Sequence, residues 1–156
     1  MVKKTIKTDK ILSAFRVLNT AKYAKMDDAD KIKVWKIARA LKPVADKFDD
    51  ESKDAAEKMK PSEDFTDKLQ NAQEFERMRN ANEDMKKAPM GAAEYGEFIK
   101  QFQEYNKLVT DAIKEFADKE VEVEFEPLTE EAFGKLISSN DWDMSKVMEI
   151  GAIILD

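Results

Sequence analysis

The chain has 156 residues, of which 38 % are charged and 42 % hydrophobic, with only four Gly and four Pro, a composition that predicts one soluble, helix-rich domain over 1–156. It contains no Cys and no His, which excludes disulfides, thiolate nucleophiles, serine–histidine dyads and the usual zinc, copper and haem ligand sets. The net charge of −6 is unevenly placed: residues 1–47 hold 13 basic against 5 acidic side chains, and the rest is strongly acidic.

In the opening MVKKTIK, Val2, Lys4 and Ile6 alternate with Lys3, Thr5 and Lys7, the pattern of a short edge strand. Thr8 is the expected cap of a first helix, which carries Ile11, Leu12, Phe15 and Leu18 and ends near Asn19 and Thr20. A polar link leads to a second helix, capped by Asp27 or Asp28 and predicted over about 28–60. Its Val34, Ala38, Leu41, Ala45, Phe48, Ser52, Ala55 and Met59 alternate spacings of four and three, a coiled-coil seam. Pro43 lies off that seam and predicts a bend near residues 39–43 rather than a break.

Pro61 and Ser62 mark a turn into a third helix, predicted over about 63–87 with Phe65, Leu69, Ala72, Phe75, Met78 and Met85 on its apolar side. Beyond APMGAAEYG a fourth helix is predicted over about 92–119. Its stripe of Tyr95, Phe98, Phe102, Tyr105, Val109, Ala112 and Phe116 is widened by Ile99, Leu108 and Ile113, as in a helix buried between two neighbours. At 1.5 Å per residue the second helix would be on the order of 50 Å long. The expected fold is mainly α: an elongated antiparallel helical hairpin or three-helix bundle.

VEVEFE, residues 121–126, interrupts the helices with Val121, Val123 and Phe125 on one face and Glu122, Glu124 and Glu126 on the other. Its natural mate is VKKTIK, whose lysines complement those glutamates, giving a small two-stranded β ribbon that joins the N-terminal segment to residues 121–126 and packs on helices. Thr129 then caps EEAFGKLISS. The closing DWDMSKVMEIGAIILD places Met144, Val147, Met148, Gly151, Ile154 and Leu155 on one helical side, with GAIILD readable as helix or strand and Trp142 at the corner.

The acidic clusters Asp141–Asp143 and Asp27, Asp28, Asp30 lack the Gly and the distant Glu of an EF-hand loop and stand where helix caps are needed. There is no phosphate loop, nucleotide fingerprint or nucleophile elbow. A non-enzymatic protein is expected, with no catalytic, metal or cofactor-binding residue. The candidate partner contacts are Trp142, Tyr95 and Phe102, the acidic Glu122, Glu124 and Glu126, and the basic Lys3, Lys4 and Lys7. No apolar run approaches the roughly 20 residues of a bilayer span, and ILSAFRVL, with Arg16 inside it, is no signal peptide, so no membrane association and cytoplasmic synthesis are expected.

The order of parts resembles that of uncharacterised small helical proteins of tailed bacteriophages and prophages. The likeness runs through the basic opening with ILSAFRVLN, the lysine-rich KIKVWKIARAL, a charged hairpin, VEVEFEPLTEEAF and a brief C-terminal helix. It implies a structural or assembly protein, related to virion or tail, acting through protein–protein contacts as a homo-oligomer or with a partner and incorporated into a virion. Two other functions fit the charge distribution: an acidic inhibitor or decoy that binds a basic host protein, and a nucleic-acid-binding accessory protein using residues 1–47.

Overall fold

The computed structural model describes residues 1–156 in the order β1 (Val2–Lys7), α1 (Thr8–Thr20), α2 (Asp28–Lys58), α3 (Phe65–Asn80), a 3-10 turn (Met85–Lys87), α4 (Ala92–Asp118), β2 (Glu120–Phe125), α5 (Glu130–Ser138) and α6 (Met144–Ile154). It is mainly helical with a two-stranded antiparallel ribbon, as the two periodicities predict. The side chains gather into two compact units, residues 1–51 with 115–156, and residues 52–114.

In the first unit the ribbon pairs Val2 with Phe125, Lys3 with Glu124 and Lys7 with Glu120, so β2 starts one residue earlier than predicted. The period of two puts Val123 and Phe125 in the core, against Ile11, Ile37, Leu41, Leu136, Ile150 and Ile154 from the surrounding helices. Ile37, fully buried, lies outside the predicted seam: α2 buries a stripe broader than alternating threes and fours, because α1 and the ribbon both pack on it. The helix passes Pro43 without a break.

Lys4 shares the inward face with Val2 and Ile6, and its ammonium reaches the end of α6, where it donates to the carbonyls of Ile153 (3.2 Å) and Leu155. The last carbonyls of a helix have no partner within it and carry the negative end of its dipole, so a cation there satisfies both. Leu128 N–H donates to Ile154 O at 2.8 Å. The first strand and the loop after the second are thus fastened to the last helix.

Thr8 does not cap α1. Its backbone N–H and its hydroxyl both donate to Lys119 O, each at 2.8 Å, so the hydroxyl closes the ribbon instead. The other predicted caps of this unit form: Asp27 accepts from Asp30 N–H (2.9 Å), Thr129 from Ala132 N–H (3.1 Å) and Asp143 from Lys146 N–H (2.8 Å). Residues 150–154 are helix, not strand, and this stretch supplies three buried isoleucines, Ile150, Ile153 and Ile154.

Lys135 of α5 lies 3.6 Å from Asp27 and 3.4 Å from Asp30, tying α5 to the start of α2. The Asp30 N–H, and then the Lys135 ammonium, hold the Asp27 carboxyl below the usual carboxylate range. The folded chain therefore binds this proton less tightly than the unfolded chain. The stability it contributes is complete above about pH 5 and is lost as pH falls through the lowered value. Asp27→Asn, which still caps but carries no charge, should lower the urea midpoint slightly at pH 7 and flatten its fall below about pH 4.

In the second unit Phe65 of α3 meets the rings of Tyr105 (4.7 Å between centroids) and Phe98 (5.5 Å) of α4, and Phe75 stacks on Tyr95 at 4.4 Å. The third helix is shorter than predicted. Ser62 donates to the Asp64 carboxylate (2.6 Å) rather than capping the helix, which begins at Phe65. It ends at Asn80 because Asn82 adopts φ of 54°, allowing Glu83 N–H to reach Met78 O (3.0 Å) and Asn82 N–H to reach Arg79 O (3.2 Å). These are the two bonds of a Schellman cap. Asn82→Val should destabilise this unit by about 1 to 2 kcal/mol in urea melts, since a β-branched side chain resists the left-handed conformation, whereas Asn82→Gly should not.

The expectation that α4 is buried between two neighbours holds only in part. Phe98 is its one fully buried residue, and Leu108 is 56 % exposed. The aromatics of α3 pack on its stripe, and Tyr105 donates to Ala56 O (2.7 Å) at the end of α2, yet apart from Phe98 the stripe stays half-buried.

Candidate protein-contact surfaces

The predicted contact residues fall in different places. Tyr95 and Phe102 belong to the aromatic core of the second unit, where Arg79 also covers the Tyr95 ring at 5.3 Å. Trp142 packs against the core of the first unit. Glu122 and Glu124 are exposed on β2 and Glu126 just beyond it, but the first two share the ribbon's outer face with lysines: Lys3 lies opposite Glu124 and 3.6 Å from Glu122. Of these charges Lys3 and Glu122 form an ion pair, Lys7 lies opposite Glu120 across the ribbon, and Lys4 is satisfied by carbonyls at the end of α6.

Two other surfaces stand out by what they leave uncovered. The first is the outward side of α6. Met144 and Met148, grouped by spacing with the buried side of this helix, are instead 70 % and 68 % exposed. The helix has more apolar residues than its neighbours can cover, and Ile150, Ile153 and Ile154 take the inward positions. Gly151 sets the fit of the inward side, since a Cβ there would lie 3.2 Å from the Phe133 ring.

The exposed residues of α6 are Met144, Ser145, Lys146, Met148 and Ala152, of which one is charged, in a chain 38 % charged. Met144, Met148 and Ala152 follow at intervals of four, forming one stripe. Beside it Ile6, Lys10, Ser145, Glu149 and Ile153 border a hollow of about 510 Å³ that Met148 and Ala152 complete. Methionine thioethers are flexible and polarisable and adapt to the shape of a partner.

The second surface is the outer side of α2. Ile32 and Trp35 are 53 % and 55 % exposed, and the Arg39 guanidinium lies 5.1 Å from the Trp35 ring centroid. Next to Trp35, a groove of about 280 Å³ is lined by Leu18, Asn19, Tyr23, Lys31, Val34 and Ala38. The link that carries Tyr23 is held by Asn140, which accepts from Lys22 N–H (2.8 Å) and donates to Lys22 O (2.9 Å), and by Ser139, which accepts from Lys25 N–H (3.0 Å). Neither Ile32 nor Trp35 was among the predicted contacts, although their spacing places both off the buried seam.

No helix is long and apolar enough to cross a membrane. No protein family, curated protein or solved structure matches the chain.

Proposed function

We propose that this is a non-enzymatic protein that works by protein–protein contact, and that the exposed methionine stripe of α6 is its principal contact surface. The observation that carries this is the outward side of α6, where Met144, Ser145, Met148 and Ala152 lie exposed with one charge, Lys146, on a chain otherwise dense in charge. Two flexible thioethers side by side on an ordered helix offer a partner an adaptable apolar surface. The setting of virion or tail assembly rests on the resemblance of layout to tailed-phage proteins. The decoy function draws little support, because the glutamates of β2 share their face with Lys3 and Lys7.

Light scattering on the full chain at low and at high salt tests the proposal. A fixed multiple of 17.9 kDa that survives high salt is expected of an apolar interface. A mass of 17.9 kDa under both conditions and at every concentration would count against it.

A further inference from the structure

We infer that the Trp35 side of α2 docks an acidic segment of another protein, with an apolar side chain of that segment seated in the groove beside Trp35. Residues 16–47 hold nine Lys and Arg against four Asp. All four Asp have a cationic neighbour: Asp27 and Asp30 at Lys135 of α5, and, in exposed pairs within α2, Asp28 with Lys31 at 3.8 Å and Asp46 with Lys42 at 2.6 Å. Four exposed cations flank Trp35 and Tyr23 along the chain and enter no ion pair: Arg39, over the Trp35 ring, Lys36, next to Trp35 in sequence, and Lys22 and Lys25 on either side of Tyr23 in the link.

Glu124 and Glu126 border a hollow of about 420 Å³ shared with Lys36 and Arg39 but stay outside ion-pairing distance. The surface thus combines surplus positive charge with an apolar groove. A partner that supplies carboxylates around an apolar anchor complements both. Trp and Arg are the residue types that most often dominate such contacts, and the hydrogen bonds from Ser139 and Asn140 hold one wall of the groove in place before anything binds. A nucleic acid fits less well, because strand binding uses several successive stacking platforms, and the single exposed indole already carries a guanidinium.

This concerns a different face from the α6 stripe, so each proposal can fail without the other. The test is a titration of the full chain with a short synthetic peptide in which Asp and Glu alternate with Leu and Phe at helical spacing. A peptide with Lys in place of the acids and an oligothymidylate serve as competitors. Trp142→Phe leaves Trp35 as the sole tryptophan reporter, and anisotropy of a labelled peptide gives the same reading on the unaltered chain.

The acidic peptide should shift Trp35 emission to the blue and saturate, more tightly at low salt. Lys36→Glu with Arg39→Glu should weaken it by about tenfold or more. An absent shift, an equal response to the lysine peptide, an affinity unchanged by the two reversals, or tighter binding of oligothymidylate would each overturn the inference.

Discussion

Phe125→Ala is expected to remove about 4 kcal/mol from the stability of the unit formed by residues 1–51 and 115–156. Phe125 is the last residue of β2, 2 % exposed, paired with Val2 and among the largest fully buried side chains. Its neighbours in the core come from α1, α2, α5 and α6; Lys4 and Leu128 fasten the ribbon to α6, and Lys135 fastens α5 to α2. They cannot all move inward to fill the space left by a ring, so the cavity cost adds to the lost burial. Against a total of about 5 to 15 kcal/mol for a domain, this loss would bring the unit near its threshold. Urea unfolding followed by circular dichroism measures it. A loss below about 1 kcal/mol would mean that the ribbon is not anchored where the core places it.

Met144→Glu together with Met148→Glu is expected to have the opposite profile. Both side chains are more than two-thirds exposed, so the folded chain loses little packing, and the unfolding midpoint should move by no more than about 0.5 kcal/mol. Two like charges four residues apart on one stripe would, however, be desolvated in any interface formed there, which opposes association strongly. An assembly lost without loss of fold separates a contact surface from a structural one.

The ribbon was legible because two independent signals agree there: a period of two in both segments, and lysines on one where the other has glutamates. The caps at Asp27, Thr129 and Asp143 were legible from residue type and position. The early end of α3 was not, because a single asparagine at φ of 54° halts a helix whose apolar spacing carries on to Met85. The role of Lys4, placed by its alternation beside Val2 and Ile6, was not legible, since no local pattern announces that its target is a helix end some 150 residues away.

The outward side of α6 was hidden for a different reason. Its sequence is apolar around most of its circumference, and periodicity cannot choose between the side of Met144 and Met148 and the side of Ile150 and Ile153 until neighbours are in place. Trp35 stood in plain sight. With Val34, Ala38 and Leu41 on the seam, a tryptophan next to Val34 must project away from it.

The most direct measurement is the absolute mass of the unaltered chain and of the Met144→Glu, Met148→Glu variant, side by side by light scattering at equal concentration. The account predicts a salt-resistant multiple of 17.9 kDa for the first and 17.9 kDa for a fully folded second. Equal masses for the two folded proteins would contradict it.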